Sequence, residues 1–399
     1  MPCVTNAAQC LPTEPAVVSE TNYTRQGKID SSTYEIIGEA YREVARKEPF
    51  VVNARNIADV GLLSSLSTRA EEAWNHQEME SSPDTGAARV LLEEHILFDV
   101  IDETMDFGSY QLLILPDDVQ VNPVLEGKLE EYLASGGKLV LTGESGIDPQ
   151  RGMLFDVGGD VGEPSPYLHD FVLPRDELQP DFVHKPMVMN VQCRRLKVTD
   201  GESIGIVHDP YFNREWDHFC SHQHAPPRPD PSGFDAGSIK GNILYLAHPV
   251  FTLYRSLGQV ALRQFIGKCI RYHLSDDLRV EFENFPSPAR ATLTVQSNEG
   301  RYVLHLLNAN PITRGGDTKL HGGNLAGQVK SYEVIEDVYP IHDIKIRIRF
   351  DSTIRQATLE PDSEPIPFRG NSDGSLSLTL PRLDHHQMIV FHRKPVGEP

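Results

Sequence analysis

The sequence predicts an α/β domain followed by an all-β domain, and two patterns in its 399 residues carry this prediction. Between residues 57 and 146, short apolar runs alternate with helix-patterned segments and acidic loops, which is typical of a doubly wound, flavodoxin-like and mostly parallel sheet. After Pro286, alternating runs are separated by Gly, Asn, Asp and Pro, which predicts an antiparallel β-sandwich. We therefore expect an N-terminal segment with a connector helix over 1–55, the α/β domain over 56–276 and the sandwich over 277–399.

The predicted helices follow from apolar residues at helical spacing. Residues 33–47 show this spacing and end before Pro49, which predicts the amphipathic connector helix. Residues 123–134 form a second helix, which the Gly136-Gly137 pair terminates. Further helices are expected over 87–95 and 259–273.

The predicted strands are short apolar or alternating runs. In the α/β domain they cover 57–63, 98–101, 110–115, 138–142 and 242–247. In the sandwich they cover 291–295, 302–307, 344–350, 375–380 and 388–392. The intervening stretch 156–231 is rich in prolines and histidines, and we interpret it as a long insertion in the α/β domain.

The charged-residue composition restricts the classes of molecule that the chain is expected to bind. The chain has 37 basic and 57 acidic residues, and its formal net charge is −20. Such a charge repels nucleic acid backbones and anionic membrane surfaces, so a neutral partner such as a sugar is favoured. We expect neither a nucleic acid nor a membrane as a partner.

The five cysteines, at positions 3, 10, 193, 220 and 269, are scattered and odd in number. This pattern lacks the dense spacing of a disulfide-stapled secreted domain, so a reducing cytoplasm is the simpler interpretation. The first 20 residues contain neither the basic nor the apolar region of a signal peptide, which also predicts a cytoplasmic protein.

Several stretches resemble known glycoside hydrolases. FDVIDE (98–103), YQLLILPD (110–117) and LEEYLASGGKLVLTGESG (129–146) are similar to the trimerisation domain of the family 42 β-galactosidases, which has a class I glutamine amidotransferase-like fold without the amidotransferase chemistry. PYFNREWDHFCSHQHAPP (210–227), AHPVFTLYRSLG (247–258) and VIEDVYPIHDIKI (334–346) resemble relatives identified as α-L-fucosidases. The resemblance extends from Asp30 to the C-terminus.

The resemblance implies an accessory role. In that family the α/β domain mediates oligomer contacts, with a trimer as one arrangement, while catalysis belongs to an N-terminal (β/α)₈ barrel of roughly 250 residues. The residues before the first strand are too few for such a barrel. We therefore expect an oligomerisation portion of a glycoside hydrolase that is not catalytic alone, that associates with itself or with a barrel-bearing chain, and that needs no cofactor.

Two alternatives remain open. The chain could be an active α-L-fucosidase or β-galactosidase with an unrecognised site, which turnover by the purified chain would reveal. It could instead be a carbohydrate-binding module, which binding without turnover would select. The acids Asp99, Asp102, Glu103, Asp117 and Asp118 lie near the predicted ends of strands, where open α/β sheets bind ligands, but they could equally cap helices or solvate loops.

Two other candidate sites are weaker. Ser145 follows the fourth strand, where an amidotransferase-like fold has its nucleophile, yet Ile147 replaces the last glycine of a G-x-S-x-G elbow. The residues His218, Cys220, His222 and His224 are natural zinc ligands by type. Their spacing lacks a zinc-finger pattern and prolines adjoin them, so we expect no metal there.

The same loop is a better candidate for contacting carbohydrate. It combines aromatic faces with amide, guanidinium and imidazole groups, and sugars are held by such mixed surfaces. The predicted contact residues are Tyr211, Asn213, Arg214, Trp216, His218, His222 and His224. The alternative is that Tyr211, Phe212 and Trp216 anchor the insertion to the core.

Overall fold

The computed structural model describes residues 31–68, 83–275, 277–314, 318–320, 327–329 and 332–394. The chain divides into two compact units. Residues 58–278 form what we call the α/β unit, and the described residues up to Ile57 together with those from Arg279 onward form what we call the β unit. Cys3, Cys10 and the rest of the opening segment lie outside the described residues.

The described helices and strands are numbered here in chain order. The helices are α1 (Ser31–Lys47), α2 (Pro83–Glu93), α3 (Pro123–Ala134), α4 (Val250–Leu257) and α5 (Val260–His273). The strands are β1 (Arg55–Ile57), β2 (Val60–Leu63), β3 (Phe98–Ile101), β4 (Leu112–Leu115), β5 (Lys138–Thr142), β6 (Ile147–Asp148), β7 (Gly152–Met153), β8 (Gly159–Pro164), β9 (Asp170–Pro174), β10 (Met187–Met189), β11 (Arg194–Val198), β12 (Glu202–Ser203), β13 (Gly205–His208), β14 (Gly237–Lys240), β15 (Ile243–Leu246), β16 (Val280–Glu283), β17 (Arg290–Gln296), β18 (Arg301–Leu307), β19 (Ile312–Arg314), β20 (Thr318–Leu320), β21 (Gly327–Val329), β22 (Tyr332–Val334), β23 (Ile341–Ile348), β24 (Ile354–Glu360), β25 (Glu364–Pro365), β26 (Phe368–Gly370), β27 (Leu376–Leu383) and β28 (His386–Arg393).

A seven-stranded sheet forms the centre of the α/β unit, in the order β12-β14-β15-β5-β4-β2-β3. The five strands from β15 to β3 are parallel, whereas β14 and β12 join antiparallel at one edge. Strands β2, β4 and β15 are buried along their whole length, as expected for parallel strands covered on both faces. The predicted mostly parallel sheet is confirmed.

Helices cover both faces of this sheet. Apolar residues of α2, α4 and α5, among them Val90, Phe251 and Phe265, belong to one core cluster with residues of the central strands. Leu125 and Leu129 of α3 belong to a second cluster, formed with the alternate residues of the same strands. Asn122 caps α3 by accepting hydrogen bonds from the N–H groups of Val124 and Leu125.

The β unit consists of antiparallel sheets. One has the order β1-β17-β18-β28-β24-β25, and another has the order β16-β23-β27-β26. The apolar residues of β18 and β28 are buried, and Phe391 packs against Phe350 with ring centroids 4.8 Å apart. The all-β sandwich that follows the α/β domain is therefore confirmed.

Two predicted elements differ from the structure. The run 57–63, expected as one strand, is divided between β1, which pairs with β17 of the β unit, and β2, which enters the parallel sheet. Between them, the backbone N–H of Asp59 donates to the carbonyl of Leu97 rather than continuing β1. Helix α4 was not predicted, although α5 was.

No helix in the described part of the chain is both long enough and apolar enough to cross a membrane.

Candidate functional site

The proposed carbohydrate-contact residues lie on a loop of the α/β unit that follows β13. An isolated bridge between Pro210 and Pro227 closes the loop at its base. The N–H of Tyr211 also donates to the carbonyl of Pro226 at 3.2 Å, and the N–H of Arg228 donates to that of Asp209 at 2.8 Å. The loop therefore leaves and re-enters the unit at a defined point.

Inside the loop, the side-chain amide of Asn213 and one pair of stacked rings hold the backbone in position. The side chain of Asn213 donates to the carbonyl of Pro166 at 2.8 Å and accepts from the N–H of Leu168 at 2.9 Å. The rings of Phe212 and His218 stack with centroids 4.1 Å apart. Asn213 thus holds the loop against the segment between β8 and β9.

The large aromatic groups of the loop face solvent. Trp216 is 90% exposed, Phe219 67% and Tyr211 52%. Tyr211 and Trp216 therefore do not anchor the loop to the core, because an anchoring ring would be buried, whereas Phe212, the third residue of that alternative, is half-buried. Leu168, which Asn213 contacts, is also exposed, so apolar groups from two segments lie on this surface.

The loop histidines do not converge. The ring of His224 lies 4.7 Å from that of His169, and burial, together with nearby His169 and Arg214, lowers the pKa of His224. The thiol of Cys220 donates to the carbonyls of His222 and His224 at 3.3 Å. Among the described residues, the four side chains that are zinc ligands by type, His218, Cys220, His222 and His224, form no group of three with ligand atoms close together.

The acids at the strand ends have local partners. Asp99 accepts a hydrogen bond from the hydroxyl of Tyr110 at 3.1 Å. Asp102 accepts from the N–H and hydroxyl of Thr104 at 2.7 and 2.6 Å, and Glu103 accepts from Asn122 at 3.0 Å. Asp118 is half-buried on the turn that follows β4. These hydrogen bonds stabilise turns and connect neighbouring loops.

Asp117 supports the start of α4. Its carboxylate accepts from the N–H groups of Phe251 and Thr252, at 3.3 and 2.6 Å, and from the hydroxyl of Thr142 at 2.6 Å. Burial raises the pKa of Asp117 to about 6, although these hydrogen bonds act in the opposite direction. Asp117, which the sequence alone placed at the ligand-binding edge of the sheet, is thus a buried residue that caps α4.

Neither Ser145 nor Glu144 forms a hydrolytic site. Ser145 is fully buried, and its hydroxyl oxygen accepts a hydrogen bond from the N–H of Val119 at 3.0 Å. Glu144 forms a two-point ion pair with the guanidinium of Arg194, at 2.7 and 2.5 Å. A hydroxyl held in the interior is not accessible to a substrate.

Sequence reasoning missed a buried cluster formed by Asp170, Cys193 and His248. The Nε2 of His248 lies 2.7 Å from Oδ1 of Asp170, and the Sγ of Cys193 lies 3.0 Å from Oδ2. All three side chains are buried. Burial alone would lower the pKa of His248, but Asp170 and then Cys193 raise it well above its ordinary value, whereas burial raises the pKa of the Cys193 thiol.

Comparison with known proteins relates both units to glycoside hydrolases. A family model for the β-galactosidase trimerisation domain matches residues 87–163. The chain is 28% identical to β-galactosidase GalA of Bacillus licheniformis over 130 residues, which are 31% of this chain and 19% of that protein. The crystallised α-L-fucosidase isoenzyme 2 of Paenibacillus thiaminolyticus aligns over 99% of this chain, with 30% identity and a TM-score of 0.88.

This chain is related to the C-terminal part of glycoside hydrolases. The resemblance found in its sequence motifs is therefore confirmed. The chain spans 57% of the length of the fucosidase and 19% of the length of GalA. A β-galactosidase from Bacillus circulans, 14% identical over 92% of this chain and 46% of its own, has the same fold with a TM-score of 0.53.

Proposed function

We propose that this chain is the assembly portion of a glycoside hydrolase and is not catalytic alone. The observation that carries the proposal is the match of the trimerisation-domain model to residues 87–163, which span α2 to β8 of the α/β unit. In this proposal the chain associates with further copies of itself, with a trimer as one arrangement, or with a barrel-bearing glycosidase chain. We place it in the cytoplasm.

The chemistry of the described strand ends supports the non-catalytic part of the proposal. Glycoside hydrolysis by the usual route needs two carboxyl groups that flank the scissile bond. Here Asp99, Asp102 and Glu103 bind neighbouring loop groups, Asp117 caps α4, and Glu144 is paired with Arg194. Side chains with such fixed partners are poorly suited to protonate a leaving group or to attack a sugar.

The exposed aromatic loop supports a second role, in carbohydrate contact. Trp216 and Tyr211 offer faces on which a sugar ring can stack, while Arg214 and the loop histidines offer hydrogen bonds to hydroxyl groups. We propose that Tyr211, Asn213, Arg214, Trp216, His218, His222 and His224 form this contact surface. If the chain binds sugar without assembling, the carbohydrate-binding module becomes the better description.

One set of samples tests both the assembly role and the absence of catalysis by the chain alone. The purified chain is examined by light scattering for its oligomeric mass and is incubated with nitrophenyl α-L-fucoside and nitrophenyl β-galactoside. We expect a stable oligomer without turnover. Turnover that survives further purification would favour the alternative of an active glycosidase.

Sugar contact is tested separately, by titrating L-fucose and galactose into Trp216→Ala and Phe219→Ala. Both replaced rings are exposed on the same loop, but only Trp216 is a proposed contact residue. Loss of binding in Trp216→Ala with binding kept in Phe219→Ala supports the contact surface. Equal binding by both variants and the unmodified chain would remove Trp216 from it.

A further inference from the structure

The cluster of Asp170, Cys193 and His248 combines three kinds of metal ligand in one buried place. Their ligand atoms, a carboxylate oxygen, the Sγ of Cys193 and an imidazole nitrogen, all lie within 4.8 Å of one another. The exposed fractions of the three residues are 1%, 3% and 1%. Among the described residues, this is the one group of three or more His, Cys, Asp or Glu side chains whose ligand atoms lie this close together.

The backbone holds these three residues in position. Asp170 begins β9, Cys193 immediately precedes β11, and His248 follows β15 by two residues. The N–H of Arg194 donates to the carbonyl of Ala247 at 3.1 Å, which places Cys193 beside His248. The carbonyl of Cys193 also accepts from the N–H of Ser165 at 2.8 Å. Ligands at the ends of paired strands are preorganised, which is a requirement of a metal site.

We propose that Asp170, Cys193 and His248 bind a zinc ion. Thiolate and imidazole together favour zinc over magnesium or calcium, which prefer oxygen ligands. Zinc binds sulfur at about 2.3 Å and nitrogen or oxygen at about 2.0–2.2 Å. The Sγ to Oδ2 and Nε2 to Oδ1 separations of 3.0 and 2.7 Å involve the two different oxygens of Asp170, and each must open by roughly 0.6 Å to reach tetrahedral spacing.

Charge also permits the site with zinc bound. The two positive charges of the ion would balance one thiolate and one carboxylate beside a neutral imidazole, which leaves no net charge in a buried place, where an unbalanced charge is costly.

Three protein ligands leave the fourth tetrahedral position of zinc to a non-protein ligand such as water. The role that follows is to connect segments of the chain, and it is independent of the proposed function. A bound zinc ion would connect β9, the start of β11 and the three residues that lead from β15 into α4. It would thereby hold the insertion to the parallel sheet. We expect zinc to raise the melting temperature of the chelator-treated chain, because a ligand that binds only the folded state stabilises it.

The test uses the full chain, dialysed against a chelator and then titrated with Zn²⁺ or Co²⁺ alone. We expect one equivalent of metal per chain and a thiolate-to-Co²⁺ charge-transfer absorption. In Cys193→Ser that absorption should disappear and zinc affinity should fall by about 10-fold or more, since even outer-shell changes cost that much. Circular dichroism of each variant reports whether it is folded.

Cys220→Ser is the matched control, because Cys220 lies in the loop with His218, His222 and His224. It should keep the absorption and the affinity of the unmodified chain. The proposal is overturned if the unmodified chain binds no metal. It is equally overturned if the absorption survives in Cys193→Ser or is lost in Cys220→Ser.

Discussion

Replacing Gly86 with alanine tests the packing of α2 against α4. A Cβ atom at position 86 would lie 2.0 Å from the carbonyl oxygen of Phe251 and 2.7 Å from its carbonyl carbon. Ordinary contacts begin at 3.4 Å, so the two helix backbones must separate by more than about 1 Å. Overpacking of this kind costs about 1–3 kcal/mol, and contact with backbone rather than a flexible side chain favours the upper end.

Alanine is also a better helix former than glycine, by about 1 kcal/mol. The expected net loss for Gly86→Ala is therefore about 2 kcal/mol in the free energy of unfolding. For a unit of this size that loss lowers the melting temperature by about 4–8 °C. Thermal and urea unfolding followed by circular dichroism measure both quantities.

Gly127→Ala is the matched control. Gly127 also lies within a helix, α3, but a Cβ atom there would meet nothing within 4 Å. The same substitution should therefore stabilise the chain by up to about 1 kcal/mol through helix propensity alone. If Gly86→Ala proved as stable as Gly127→Ala, the close approach of α2 to Phe251 would be wrong.

Three further predictions concern two buried carboxylates and one exposed aromatic ring. Because the folded pKa of Asp117, about 6, exceeds its unfolded value of 3.8, its contribution to stability falls by about 2.4 kcal/mol as pH rises from 4 to 7. The stability of Asp117→Asn relative to the unmodified chain should rise over the same interval, and urea unfolding at each pH would contradict this if the difference stayed constant. In chelator-treated chain, Asp170→Asn should cost about 1–3 kcal/mol, because it removes the carboxylate that contacts the buried imidazole of His248 and the buried thiol of Cys193; a loss under about 0.5 kcal/mol in urea unfolding would show that these contacts do not stabilise the fold. Trp216→Ala should change the free energy of unfolding by no more than about 0.5 kcal/mol because its ring is exposed, and a larger loss would mean that the ring is packed.

The parallel sheet could be predicted from sequence because buried parallel strands are continuous apolar runs. LLIL in β4 and KLVLT in β5 have this character and lie on either side of a helix with a clear N-cap and a Gly-Gly end. Helix α4 was missed because Pro249 at its start offers no capping side chain. Its cap comes from Asp117, which lies more than 130 positions earlier in the chain.

The candidate sites likewise differ in whether their residues are contiguous or far apart in the sequence. The loop with Trp216 could be found from sequence, because its aromatic and polar residues are contiguous. The cluster of Asp170, Cys193 and His248 could not, since Cys193 and His248 lie 23 and 78 positions from Asp170. Only the pairing of β9, β11 and β15 with their neighbours brings these residues together. A polar residue directly after a buried parallel strand, as His248 is after β15, was the one local signal.

The oligomeric mass of the purified chain in solution tests the proposed assembly role most directly. Light scattering over a range of protein concentrations should give a fixed multiple of the monomer mass, and three-fold would match the trimerisation domain that the α/β unit resembles. A monomer at every concentration would contradict self-association, the first of the two proposed arrangements.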